Sequence, residues 1–328
     1  MSDFTTDRPR ILLATDFSKH AARAEDYACC LAATWHATLT VLTVLEFPPG
    51  MNPEYPVNRV YLGELMKAGS KQLVDLKARA AARGIAVHTR IATGIPSEEL
   101  LAAAEAEDSD LVVVGTKGKS GLAHVLLGST AERIIRTAPC PVLAVHTGAD
   151  QPASGETAPC AGIGLSRILV PVDFSDCSLE AVEYAAFLAQ RHQATLSLVH
   201  VLEPVSYGLD FTLLHSGKRE ELRERLAARM TGLTTALGAV NIKADSHIRG
   251  GVPADSILDS ARTIPADLIV MGTHGRRGLS HLLCGSVAEA VLRQSRCPVL
   301  TVRSPKYAPG HRRIVTGATT EPTSSPGG

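Results

Sequence analysis

The chain is 328 residues long, which at about 150 residues per domain suggests two domains, each able to bury a core, and excludes a single small disulfide-stapled module. Hydrophobic residues make up 45%, charged residues 20% and aromatics 4%, a composition of Ala-, Val- and Leu-rich cores that excludes disorder over most of the length. Lys plus Arg is 33 and Asp plus Glu is 33, so the basic excess that attracts nucleic-acid backbones or anionic lipid is missing, and neither is expected as a partner.

The N-terminal segment MSDFTTDRPR lacks the apolar stretch of a signal peptide, and no apolar run reaches the ~18 residues of a membrane span. A cytoplasmic protein is expected. From there, short aliphatic runs at 11–15, 38–45, 86–92, 111–115 and 142–145 read as strands, and longer helical patterns fill the gaps. The sequence then starts again. RILLATDFS at Arg10 returns as RILVPVDFS at Arg167, an offset of 157 that also carries Gly94-Ile95-Pro96 onto Gly251-Val252-Pro253 and Cys140-Pro141-Val142-Leu143 onto Cys297-Pro298-Val299-Leu300. The expected organisation is a domain at 1–147, a linker at 148–165 rich in Gly, Ala, Pro and Ser, a second domain at 166–304, and a disordered tail at 305–328. Strand–helix alternation, with LVVVG and LIVMG apolar throughout, predicts an α/β fold. Each copy is expected to be a doubly wound domain with a five-stranded parallel sheet and helices on both faces. Ligands of such sheets bind beyond the carboxyl ends of the strands, where the strand order reverses.

The turn after the first strand, Ala14-Thr15-Asp16-Phe17-Ser18, has no glycine, so the dinucleotide fingerprint is absent where it would have to be. Gly118-Lys119-Ser120 matches only the end of a Walker A loop, and the second copy reads Gly275-Arg276-Arg277. Both copies do carry a glycine loop after the fourth strand. It runs Gly115-Thr116-Lys117-Gly118, nine residues, then Gly128-Ser129; the second copy has Gly272-Thr273-His274-Gly275, nine residues, then Gly285-Ser286. Glycines allow close backbone approach, and a Gly-Ser leading into a helix offers main-chain N–H groups at the positive end of its dipole, a constellation suited to phosphate. A tight turn alone would need one glycine. The seven cysteines (Cys29, Cys30, Cys140, Cys160, Cys177, Cys284, Cys297) are odd in number and form no C-x-x-C pair; they are expected to be reduced and mostly buried.

On the spacing G-x2-G-x9-G-[ST], the chain resembles the universal stress protein family, in its tandem form and ATP-binding branch, with an adenine nucleotide alpha hydrolase-like fold. The likeness covers nearly everything outside linker and tail: strands ending at Asp16 and Asp173, VLTVLE and LVHVLE, the G-[IV]-P turn, the glycine loop and the closing CPVL strand. The resemblance implies ATP as ligand, with Mg2+ or Mn2+ riding on the phosphates and no protein metal site. Adenine would lie near Val44 and Val201, read by backbone groups. Asp16 and Asp173 would meet the adenosine, with Thr15 and Val172 beside them, and Gly115 and Gly272 would border the ribose. Gly118, Gly128, Ser129 and Thr130, with Gly275, Gly285, Ser286 and Val287, would cradle the phosphates, with charge added by Lys117 and Lys119 or by His274 and Arg276. The family makes dimers through the closing strand, so the resemblance implies pairing of the two halves within one chain and leaves a homodimer open.

The plainer reading of Asp16 and Asp173 is helix capping, for which Ser18 and Ser175 are better placed. Glu132–Arg136 and Glu289–Arg293 read as solvated i,i+4 pairs without chemistry, and His124, His200 and His281 as structural or surface groups. No catalytic residue is assigned, because no base, nucleophile or arginine finger is evident around the loops. The expected function is a cytoplasmic ATP-binding stress-response protein acting as a nucleotide-dependent regulator or protector. The alternatives are a slow ATPase or nucleotide-using transferase, and a structural dimerisation module with one or both sites inactive.

Overall fold

The computed structural model describes residues 8–46, 55–116, 127–146, 164–203, 216–275 and 284–303. The predicted tail, most of the linker, and Lys117, Gly118, Lys119, His124, Arg276 and His281 lie outside them. The first copy runs β1 (Arg10–Ala14), α1 (Lys19–Trp35), β2 (Thr38–Leu45), α2 (Pro56–Ala81), β3 (Val87–Thr93), α3 (Pro96–Ala106), β4 (Leu111–Gly115), α4 (Ser129–Thr137) and β5 (Val142–Val145). The second repeats it with β6 (Arg167–Pro171), α5 (Asp176–His192), β7 (Thr195–Leu202), α6 (Ser216–Ala239), β8 (Ala244–Gly250), α7 (Pro253–Thr263), β9 (Leu268–Gly272), α8 (Ser286–Gln294) and β10 (Val299–Val302). Two strands are shifted by one residue from the expected bounds: β1 takes in Arg10 and leaves out Thr15, and β3 takes in Thr93 and leaves out Ala86.

Local chemistry accounts for the helix starts. Ser18 and Ser175 cap α1 and α5, their side chains accepting from the amides of Ala21 (3.1 Å) and Ser178 (3.3 Å). Pro96 and Pro253 open α3 and α7, where a missing N–H costs nothing. Strand burial alternates between two cores. Leu111 and Val113 of β4 enter one with Trp35 and Leu76, whereas Val112 and Val114 enter the other with Leu100 and Ile134. A run apolar throughout is what a strand covered on both faces requires.

Within each copy the strands are parallel, in the order 3-2-1-4-5, and the two copies join into one ten-stranded sheet ordered β3-β2-β1-β4-β5-β10-β9-β6-β7-β8. The joint is an antiparallel ladder between β5 and β10 in which Leu143 faces Leu300, its own counterpart at the 157-residue offset. A pseudo-twofold therefore passes between these two leucines, and the carboxyl ends of the two parallel sheets point in opposite directions. Trp35 and His192, another pair at this offset, also meet: Trp35 Nε1 donates to His192 Nε2 (3.1 Å). Leu165, placed in the linker by its Gly- and Pro-rich surroundings, is instead buried beside Leu31, Leu188 and Leu300, since the apolar junction extends past the ladder. Gly272 is needed for packing: a Cβ there would lie 2.8 Å from the backbone and Cβ of Cys177, so β9 and α5 approach as closely as they do only because it is glycine.

Candidate functional site

In each copy the carboxyl ends of the first and fourth strands bring two segments together. The first is the turn before the opening helix. Oδ1 of Asp16 accepts from the Ser18 amide (2.9 Å) and Oδ1 of Asp173 from the Ser175 amide (2.9 Å), the short-range bond by which aspartate shapes a turn. Phe17 and Phe174 between them have left-handed backbone, φ 57° and 61°, uncommon for bulky residues and found where the surroundings over-determine the chain. Helix capping thus falls to the serines, and the aspartates hold the turn.

The second segment follows β4 or β9. Gly128 and Gly285 are the N-caps of α4 and α8, and no side-chain hydrogen bond caps either helix. Their amides donate back to the carbonyls of Thr116 (2.9 Å) and Thr273 (2.8 Å). A Cβ on Gly128 would lie 3.4 Å from the Thr116 oxygen and one on Gly285 3.3 Å from the Thr273 oxygen. Ser129 and Ser286 start their helices in exposed positions, with Thr130 and Val287 next. Two short helices therefore begin, at the carboxyl edge of their sheets, with amides that no side chain caps, an arrangement fitted to an oxyanion.

In the second domain the two segments touch. Asp173 Oδ2 lies 2.6 Å from where a Gly275 Cβ would stand, Ser175 Oγ donates to the His274 carbonyl (3.4 Å), and Thr273 Oγ1 bonds His274 Nδ1 (2.9 Å). Val44 and Val201 are half-buried near the ends of β2 and β7, on the side of the sheet that carries Ala14 and Ala92. Gly115 ends β4 at the carboxyl edge of the same sheet.

Thr15 and Val172, expected beside the aspartates, follow the first strand of their copies with side chains in the interior. Val172 is buried, and Thr15 Oγ1 donates to Glu25 Oε1 (2.7 Å) while accepting from the Phe17 amide (3.0 Å). What they can offer a ligand is main chain. Glu25, whose other oxygen accepts from Arg79 Nη2 (3.3 Å), escaped the sequence reading. The signal was there in the repeat: Thr15, Glu25 and Arg79 align with Val172, Val182 and Ala236, a coordinated exchange of polar for small or apolar residues in one copy. Burial raises the Glu25 carboxyl above its ordinary range, against the Thr15 hydrogen bond and the Arg79 charge. A raised folded-state value means that the group's contribution is complete below the unfolded value and is lost as pH rises through the folded one. Glu25→Gln is therefore expected to be at least as stable as the parent at pH 7 and to lose that advantage toward pH 4, read by urea unfolding at both pH values.

Burial pushes the thiol of Cys140 up to about 12 and that of Cys284 up to about 11, values that suppress a nucleophilic thiolate. The six described cysteines form no disulfides. Among the described residues no group of three or more His, Cys, Asp or Glu could hold a metal ion, and no helix is long and apolar enough to cross a membrane. His200 is buried, bonding the Val172 carbonyl through Nδ1 (2.6 Å).

The model of the universal stress protein family matches residues 8–146 and again 164–303. A universal stress protein of Mycobacterium tuberculosis is 28% identical over 303 residues, covering 89% of this chain and 96% of its own. One from Methanocaldococcus jannaschii is 37% identical over 145 residues, 43% of this chain and 83% of its own. Among solved structures, a universal stress protein from Archaeoglobus fulgidus superposes with a TM-score of 0.67 at 24% identity, covering 91% of this chain and 99% of its own, a likeness of fold.

Proposed function

The chain belongs to the universal stress protein family, in a tandem two-domain form, and from that premise we propose that each domain binds ATP and that the protein acts in the cytoplasm as a nucleotide-dependent stress-response regulator or protector. The observation that carries the reading is the duplicated helix start: Gly128 and Gly285 in the same backbone conformation, each bonded back to a threonine carbonyl, each heading a helix without a side-chain cap. Phosphate oxygens are the ligand such amides accept at the positive end of a helix dipole.

In this reading Gly128, Ser129 and Thr130, and Gly285, Ser286 and Val287, bind the phosphates. Gly118 and Gly275 complete the loop, and Lys117 and His274 add donors. Main chain at Val44 and Val201 meets the adenine edge, Asp16 and Asp173 face the adenosine, and Gly115 and Gly272 border the ribose. Mg2+ or Mn2+ enters on the phosphates, whose charge it neutralises. The β5–β10 ladder supports pairing of the two domains within one chain. With those strands paired to each other, a homodimer would use another surface; the outer edges of the sheet are β3 and β8.

Equilibrium dialysis of the purified chain against ATP and Mg2+ tests the proposal. Two moles bound per mole of chain is the expected result, and no binding at millimolar ATP would sink it. Multi-turnover phosphate release lost on changing both Asp16 and Asp173, with binding kept, would turn the reading to an ATPase.

A further inference from the structure

Because β5 and β10 are antiparallel, α4 and α8 also run antiparallel across the junction of the domains. Between them lies a cavity of about 270 Å3, lined by Glu132, Ile135 and Arg136 from α4 and by Ser286, Glu289 and Leu292 from α8. With this gap between the helices, their ends need another support. At the C-terminal end of each, that support comes from the opposite domain. Nε2–H of His146, the residue after β5, donates to the Leu292 carbonyl in the last turn of α8. Arg303, the residue after β10, donates from Nη1 to the carbonyl of Ala138, the C-cap of α4 (3.4 Å). Positions 146 and 303 are counterparts at the 157-residue offset, so the pseudo-twofold makes the exchange reciprocal with different residues. His146 is buried and itself held, its carbonyl accepting from Arg23 Nη1 (3.0 Å).

The last carbonyls of a helix lack intrahelical partners and carry the negative end of its dipole, so a guanidinium or imidazole N–H there both satisfies and fixes that end. Each of these helices has nine residues, a rod about 13 Å long at 1.5 Å per residue, too short to absorb a shift by bending. Its other end is the Gly-Ser start described above. We propose that Arg303 and His146 are positioning residues that act across the domain boundary: Arg303, in the second domain, sets the Gly128–Ser129 helix start of the first, and His146, in the first, sets the Gly285–Ser286 start of the second. The identity of the ligand rests on the nucleotide reading; the cross-domain support does not.

The test uses the full chain with one site blocked at a time, by Gly285→Val or Gly128→Val, and measures ATP and adenosine binding by dialysis. Arg303→Ala is expected to weaken ATP about threefold to tenfold at the first domain's site, to leave adenosine binding there unchanged, and to spare the second domain's site. His146→Ala should do the mirror image, and Arg303→Lys should restore most of the loss. An effect confined to the substituted residue's own domain, or equal losses of ATP and adenosine, overturns the proposal. If the parent chain binds no nucleotide, it is the functional reading that fails, and amide hydrogen exchange then decides the cross-domain support: faster exchange in α4 than in α8 on Arg303→Ala upholds it, and unchanged exchange in α4 overturns it.

Discussion

Gly128→Val combined with Gly285→Val is expected to leave a folded chain with ATP affinity lowered about 100-fold or more. Hydrogen bonds from main-chain amides to a charged group are worth about 1.5–3 kcal/mol each, and losing two per site accounts for that factor. Neither glycine is there for its backbone freedom, since φ is −64° at Gly128 and −59° at Gly285, values any residue adopts. Each is there for the space. A Cβ already approaches the preceding threonine carbonyl at 3.4 or 3.3 Å, and the two methyls of valine would extend over the helix start where an oxyanion must sit. Cooperative thermal unfolding close to that of the parent separates a blocked site from a broken fold. Undiminished ATP binding by a folded double variant would show that the phosphates lie elsewhere.

Trp35→Ala is expected to cost about 3–5 kcal/mol, the range for emptying a large buried aromatic site, and to loosen the domains from each other. Trp35 is 4% exposed, packs edge-on against Phe187 of the second domain at 6.1 Å between ring centroids, and donates its indole N–H to His192. It is the single tryptophan of the chain, so its emission reports on this junction alone. Burial, reinforced by the Arg191 charge, lowers the His192 value below the ordinary 6.5. The neutral ring therefore contributes stability that is complete above about pH 6.5 and is lost as pH falls through the lower folded-state value. Protonation also removes the acceptor that Trp35 uses. Between pH 7 and pH 5 the parent should lose more stability than His192→Gln, with a change in tryptophan emission that the variant lacks; parallel pH profiles would refute the assignment.

The strands were legible because parallel central strands must be apolar on both faces, and β4 and β9 announce this in five letters each. The helix caps were legible for a similar reason, since Ser18 and Ser175 act on amides three residues away. The role of Thr15 was less legible: it follows β1, and its bond to Glu25 joins a turn residue to a helix residue ten positions on, which only the coordinated exchange between the two copies marks.

By itself the sequence determined two doubly wound domains, the strand bounds of the first to within a residue, and glycine loops spaced alike in both copies. These follow from periodicity, turn chemistry and short-range hydrogen bonds, all readable in a window of some twenty residues. Only the tertiary structure decided that Leu143 would face Leu300, that Trp35 would meet its own counterpart His192, and that His146 and Arg303 would reach helix ends in the opposite domain. Such contacts join residues some 150 positions apart whose neighbours bear no mark of the partner, and a sheet edge advertises only that it can pair, not with which strand or in which register.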